Sequence, residues 1–370
     1  MPHSGFFKET ENHDSNVNEA WRKSRNPAWL FLFHGVKSRV VPVDRDRPMG
    51  FLRRMMEPDM RIEEPDHGGG IDAATARWGG RRADWLDLST GINPRPYPLP
   101  DIPAEAWTSL PDRAAFAALE MAARQFWRIP DEAAVIAAPG ASALIARIPA
   151  LMPPGRVAIP EPTYNEHARA FRACGWTVSD NACDATVIVH PNNPDGRLHP
   201  LPETGFRVID ESFCDVSPMA SHMPSAATPG TIILKSFGKF WGLAGARLGF
   251  AVGDPVLVSR LRPMLGPWAV SGPTLAIATT ALQDGDWAET TRNRLAADAD
   301  RLDHIMHQAG AVPLGGTTLF RLYDTPDCAQ WQERLARHHI LSRVFPYSGR
   351  WLRLGLPDAD GWARLSAALA

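Results

Sequence analysis

From about residue 130 onward the chain alternates short apolar, strand-like runs with helical patterns, and this alternation constrains its fold more than any other feature. Val135-Ile136-Ala137, Arg156 to Ile159, Thr186 to Val189, Arg207-Val208-Ile209, Ile232-Ile233-Leu234 and Leu248 to Val252 each finish at a loop carrying Gly, Pro, Asn, Asp or Ser. That order predicts an α/β protein built on a mostly parallel sheet with helices on both faces. In such sheets, ligand sites form beyond the carboxyl ends of the strands. Most of the polar residues singled out below lie just after one.

A chain of 370 residues exceeds the usual size of a single domain, which predicts a large domain and a smaller one. In residues 1–60, charges, asparagines and prolines interrupt any period and the one apolar knot is Trp29 to Phe33, so this stretch reads as a poorly ordered N-terminal extension. Met49, Met55, Met56 and Met60 leave open a later translation start. Residues 61–112 are expected to join the small domain. Pro111-Asp112 opens a helix whose apolar positions Phe116, Leu119, Ala123, Phe126 and Trp127 follow the helical period, with Asp112 as its cap. Residues 113–265 would form the large domain and 266–310 a long connecting helix region, in which Pro273 to about Gln308 reads as one helix or two. Residues 311–370 would form the small domain, as strand, helix, strand, helix.

Lysine and arginine nearly balance aspartate and glutamate, for a net charge of -2. Nothing in that balance invites nucleic acid or an anionic membrane, so a small-molecule substrate is expected. Cys174, Cys183, Cys214 and Cys328 stand far apart without C-x-x-C or C-x-x-H spacing. This argues against zinc or a disulfide framework and for a reduced cytoplasm; no metal site is expected. No apolar run approaches the roughly 18 to 20 residues that span a bilayer.

Ser236-Phe237-Gly238-Lys239, followed by a glycine-rich run to Arg247, sets a lysine in pliant backbone between a hydroxyl and a guanidinium. Lys239 would form a Schiff base with an aldehyde cofactor, while Ser236 and Arg247 would hold that cofactor's phosphate. A solvated loop lysine is the plain alternative. Asp210 ends an apolar strand and needs a cation or strong donor there. A protonated pyridine nitrogen would serve, and so would a helix cap or an ion pair. His190 to Gly196 is first of all a turn, in which Asn193 can also donate its amide to a phenolate oxygen. Gly140, Ala141 and Ser142 lie where a strand passes into a helix, so their N–H groups and the Ser142 hydroxyl can cradle a phosphate. Tyr164 can stack on a flat ring or simply fill core. Together, these groups describe pyridoxal 5'-phosphate part by part.

In this order, over about residues 66–356, the motifs resemble the fold-type I pyridoxal-phosphate enzymes of the aspartate aminotransferase superfamily. The resemblance implies a large domain with a mostly parallel seven-stranded sheet flanked by helices, plus a smaller α+β domain. It places Lys239 on the cofactor aldehyde, Asp210 at the pyridine nitrogen, Asn193 at the ring oxygen and Tyr164 over the ring. Gly140, Ala141, Ser142, Ser236 and Arg247 would surround the phosphate, and Arg353 would bind a substrate α-carboxylate.

His67-Gly68-Gly69-Gly70, Asp87 to Pro94, Gly266 to Ser271 and Ile340 to Arg343 further resemble segments of the threonine-phosphate decarboxylases of cobalamin biosynthesis. By that resemblance His67, Gly68 and Arg343 would bind the substrate, with Asn93 nearby. Three departures stand out. Phe213 replaces a tyrosine that bonds the ring oxygen in many relatives. Ser109-Leu110-Pro111-Asp112 replaces Arg-Tyr-Pro-Asp, whose tyrosine reaches a neighbouring subunit's cofactor. Gly91 stands where some decarboxylases have asparagine.

The implied reaction is pyridoxal-phosphate-dependent decarboxylation of O-phospho-L-threonine to (R)-1-amino-2-propanol O-2-phosphate, the aminopropanol linker of cobalamin, by a cytoplasmic homodimer. One alternative is an aminotransferase of the histidinol-phosphate type acting on a phosphorylated amino substrate. Another is a regulator that keeps the fold as a cofactor-binding module, although residues 1–60 show no two-helix DNA-binding pattern.

Overall fold

In the computed structural model, which describes residues 67–181 and 183–370, the first elements are helix α1 (Ile71–Trp78), the two-residue strand β1 (Leu86–Asp87) and helix α2 (Ala104–Thr108). Helix α3 (Arg113–Trp127) starts where its cap predicts. The Asp112 carboxylate accepts from the Ala115 N–H at 3.0 Å, and Leu119, Ala122, Ala123 and Trp127 bury the inner face. The extension expected for residues 1–60 lies outside the described residues.

Then follow β2 (Ala134–Ala138), α4 (Ala141–Ile145), β3 (Arg156–Ala158), α5 (Glu166–Ala173), β4 (Thr177–Val178) and β5 (Ala185–Val189). Next come β6 (Phe206–Asp210), β7 (Thr231–Ser236) and β8 (Gly249–Gly253). Strands β2 to β8 make one seven-stranded sheet in the order β2-β8-β7-β6-β5-β3-β4. Strands β3 to β7 run parallel, whereas β8 is antiparallel to both β2 and β7. All six apolar runs become strands. The seventh, β4, is an edge strand of two residues, too short to show a period.

Because side chains alternate along a strand, the sheet feeds two cores. Ile232 and Leu234 of β7 pack with Leu144, Phe171 and Leu257 on one face, while Ile233 packs with Leu119, Leu275 and Leu295 on the other. Both faces are covered, which is why β7 reads as a continuous apolar run.

Helix α6 (Pro255–Leu265) precedes α7 (Gly272–Gln283) and α8 (Gly285–Gln308), so the connecting region holds two helices after Pro273 rather than one. Asp284 separates them and caps α8, accepting from the Trp287 N–H at 2.9 Å. The tail is richer than strand, helix, strand, helix. It contains β9 (Val312–Thr317), β10 (Phe320–Asp324), α9 (Cys328–Ala336), β11 (Ile340–Leu341), β12 (Arg343–Phe345), β13 (Ser348–Gly355) and α10 (Gly361–Leu369). Strand β9 escapes a sequence reading because Pro313, Gly315 and Gly316 interrupt its apolar alternation.

Strands β12, β13, β10 and β9 form a four-stranded antiparallel sheet in that order. Strand β1 pairs in parallel with β11, matching Leu86 to Ile340 and Asp87 to Leu341. Phe320, Tyr323, Leu352 and Leu354 join the same core as α3, α7 and α8, and the described residues form one compact unit.

Candidate active site

The carboxyl ends of β2, β5, β6 and β7 deliver polar residues to one cavity, as the strand-end rule requires. It is lined by Ala141 and Ser142 after β2, Asn193 after β5, Asp210 at the end of β6, and Ser236 and Lys239 after β7. Tyr164, Arg247, His67, Gly68, Arg343 and Arg353 complete the predicted residues that face it. Thr90, Gly91, Phe213, Phe345 and Tyr347 share the lining.

Gly140 and Arg247 meet in a way only glycine permits. Gly140 has φ +87°, and a Cβ there would stand 2.4 Å from Nη2 of Arg247. Arg247 itself adopts φ 51° and donates from Nη1 to the Ala244 carbonyl at 3.1 Å. Helix α4 has only five residues. The positive charge at this end of the cavity is therefore that of the guanidinium rather than a helix dipole.

Lys239 is partly exposed to the cavity, its Nζ 5.2 Å from the centre of the Phe213 ring. Burial, reinforced by the charges of Arg353 and Arg247 against those of Asp210 and Asp87, pulls its pKa down to about 8. More of the neutral, nucleophilic amine is thus present near neutrality than for an ordinary lysine. Phe213 packs edge-on against Phe320, ring centres 4.9 Å apart. A Cβ on Gly91 would lie 2.9 Å from atoms of both rings, so asparagine does not fit there.

Asp210 is buried, and its Oδ2 lies 2.8 Å from Nε2 of His167. Its Oδ1 accepts from the Ser212 N–H at 3.0 Å and the Ser212 hydroxyl at 2.5 Å. Burial alone would raise this carboxyl, but the bonds from His167 and Ser212 prevail and hold it below the ordinary range. Sequence reasoning missed His167. The available signal was a polar residue in the buried stripe His167, Ala168, Phe171 of α5. Tyr164 packs near both His67 and His167, and burial, then the charges of Asp210 and Glu166, push its hydroxyl up to about 12.

Arg353 is 6% exposed. Its Nη2 donates to the Ser89 carbonyl at 2.6 Å and its Nη1 to Oδ1 of Asn193, while its buried Nε has no partner. Burial, then the nearby charge of Arg343, lowers it to about 10. With its oxygen turned to Arg353, Asn193 keeps Nδ2 as a donor. His67 pairs with Glu166, Nε2 to Oε1 at 3.0 Å, a partner that sequence reasoning also missed.

Asn93 corrects an expectation. It does not line the cavity. Its Nδ2 donates to the Phe240 carbonyl at 2.8 Å, and its Oδ1 accepts from the Arg95 N–H at 3.0 Å and from Arg294 at 2.9 Å. With both acceptor positions of Oδ1 taken and the residue 2% exposed, this side chain has no acceptor to offer and no face open to a substrate.

Behind the strand ends lies a buried ionic cluster. Lys235, next to Ser236, reaches Glu211 at 2.7 Å and Asp215 at 3.4 Å, and Asp215 also accepts from the Trp127 indole at 2.9 Å. Burial opposes the lysine's charge, but the two carboxylates overcome it and raise its pKa.

The sequence profile of the family described as Aminotransferase class I and II matches residues 104–190 and 206–368. A threonine-phosphate decarboxylase from a Sinorhizobium species is 43% identical over 327 residues, covering 82% of this chain and 97% of that protein. One from Pseudomonas aeruginosa is 40% identical over 326 residues, with the same coverage. Among solved structures, the histidinol-phosphate aminotransferase of Sinorhizobium meliloti in complex with pyridoxal-5'-phosphate has a TM-score of 0.66 at 19% identity, over 81% of this chain and 93% of that one. That likeness is one of fold.

Proposed function

This chain belongs to the class I and II aminotransferase family, and from that premise we propose that it decarboxylates O-phospho-L-threonine. Its cofactor is pyridoxal 5'-phosphate, and the residues fit it. Gly140 leaves room for the Arg247 guanidinium, Asp210 is a buried carboxylate kept ionised by its neighbours, and Lys239 is an amine with a pKa of about 8. Arg247, Ser236, Ser142 and the N–H groups of Gly140 and Ala141 would hold the phosphate. Asp210 would hold the ring nitrogen and Nδ2 of Asn193 the ring oxygen, which Phe213 cannot reach with a donor. Tyr164 would lie on the ring.

When bound, the cofactor supplies an electron sink for the bond broken at the substrate's α-carbon. Arg353, whose two Nη arms are tied to Asn193 and Ser89, would meet the substrate carboxylate with its charge and the N–H groups that those bonds leave, Nε among them. Arg343, His67 and Gly68 would take the substrate phosphate. The carbon–carboxylate bond breaks, carbon dioxide leaves, and Lys239 Nζ returns a proton to the same carbon, giving 1-amino-2-propanol O-2-phosphate. The Ser89 carbonyl and Asn193 hold Arg353, and Arg353 would in turn fix the carboxylate's position relative to Lys239, which decides which bond is presented for cleavage.

The observation that carries this reading is a set of guanidinium groups in one cavity: Arg247 beside the glycine loop, and Arg343 and Arg353 from other elements. A substrate bearing both a carboxylate and a phosphate needs cations beyond those the cofactor takes. The reading extends to a supply of the aminopropanol linker of cobalamin by a cytoplasmic homodimer. The four free cysteines suit a reducing compartment, and exposed Trp107, Leu110 and Met121 offer apolar surface to a second copy.

The test is a product assay of cofactor-loaded protein with O-phospho-L-threonine, following carbon dioxide and phosphorus NMR, with Lys239→Ala as the blank. Carbon dioxide with aminopropanol phosphate is the expected outcome. Transamination of a 2-oxoacid without carbon dioxide would replace the reaction while keeping the cofactor.

A further inference from the structure

We infer that Asn93, held by Arg294, is a positioning residue for Lys239, an inference that rests on Lys239 being the cofactor lysine. The lysine stands in the irregular loop between β7 and β8, where backbone carbonyls have no sheet partner and must find donors elsewhere. Besides the loop's own Gly242 N–H, which reaches the Lys239 carbonyl at 3.1 Å, they find them in one segment. The Asn93 N–H donates to the Lys239 carbonyl at 3.0 Å, Asn93 Nδ2 to the Phe240 carbonyl at 2.8 Å, and the Tyr97 N–H to the Trp241 carbonyl at 2.9 Å. Three consecutive carbonyls, beginning with that of the lysine, are thus held from residues 93–97. Gly242 closes the contact: with φ +70°, a Cβ there would lie 2.6 Å from Cα of Pro96.

The segment is itself anchored twice to the end of α7 and to α8. Arg294, steadied by Asp298 at 3.4 Å, donates to Oδ1 of Asn93 at 2.9 Å, and the Tyr97 hydroxyl meets Oδ2 of Asp284 at 3.2 Å. With its oxygen taken by Arg294 and the Arg95 N–H, the Asn93 amide can turn only its Nδ2 to Phe240. Through this chain α8, remote from the cavity, sets where Nζ of Lys239 stands among Asp87, Asp210, Arg247, Arg353 and the Phe213 ring. Loosening it admits water to the amine and returns the amine toward its ordinary range.

The experiment measures cofactor capture by the cofactor-free protein, followed by visible absorbance, as a function of pH, together with kcat and KM for O-phospho-L-threonine. Asn93→Ala and Arg294→Met should move the capture midpoint upward from about 8 by about half a pH unit or more. They should lower kcat on the order of tenfold with KM within about twofold, and Arg294→Lys should recover part of the loss. If Asn93→Ala fails to fold, the Arg294 pair decides.

A raised KM with kcat and midpoint unchanged would make Asn93 a substrate contact and overturn the inference. So would a lower Tm as the sole change. Failure of the underlying reading is separate: Lys239→Ala would then develop the same absorbance as the unaltered protein.

Discussion

Nε2 of His167 lies 2.8 Å from Oδ2 of Asp210, with both side chains buried. Helix α5 thereby steers a carboxylate that β6 delivers, and the bond opposes the upward pull of burial on that carboxyl. His167→Phe removes the opposition, so Asp210 should titrate higher and the acid limb of the activity profile should move to higher pH. Losing a hydrogen bond to a charged group, about 1.5–3 kcal/mol, predicts a kcat/KM reduced about tenfold to a hundredfold. A pH–rate profile of the variant checks both; an unmoved acid limb would mean that Ser212 alone suffices.

Lys239 has a pKa of about 8 in the fold against an ordinary 10.5. Between those values the unfolded chain holds a proton that the folded chain lacks, so this group's contribution to stability rises with pH and its penalty is complete below about 8. The cofactor-free Lys239→Met variant should therefore be more stable than the unaltered protein at pH 7, with a gap that narrows toward pH 10.5. Urea titrations at the two pH values measure the gap; equal gaps would show that the amine is not desolvated.

Gly140→Ala forces a Cβ to within 2.4 Å of Arg247 Nη2 at a backbone angle of +87°. Displacing one charge-assisted hydrogen bond should weaken cofactor binding on the order of tenfold or more. Equilibrium dialysis of the variant reads this directly, and unchanged affinity would remove Arg247 from the cofactor's phosphate.

Arg353→Lys keeps a charge but loses the planar fork shared between Ser89 and Asn193. With two hydrogen bonds of a charged group lost, kcat/KM for the phosphorylated amino acid should fall on the order of a hundredfold. Steady-state kinetics at fixed cofactor saturation test it, and a change below twofold would place the carboxylate elsewhere.

Lys235→Met strands two buried carboxylates, Glu211 and Asp215. Breaking such a cluster from one side costs about 3–5 kcal/mol. Adding Glu211→Gln should restore part of it, because the uncompensated charge causes the loss. Urea midpoints of the single and double variants decide; a double variant worse than the single would contradict the charge argument.

Local order along the chain was enough for the layered sheet, since short continuous apolar runs and the turn residues that bound them depend on near neighbours, and six of the seven strands of the large sheet stand where apolar runs stand. It was also enough for the residues that follow strand ends, because topology sends those ends to one place. Chemistry that depends on partners far along the chain was hidden. His167 reads as one polar residue in a helix until β6, 43 residues away, brings Asp210 to it. Asn93 sits in a motif suggestive of a ligand contact, yet Arg294, 201 residues later, turns its amide toward the lysine loop. A hydrogen bond commits a group to one direction, and only the folded chain decides which partner is within reach.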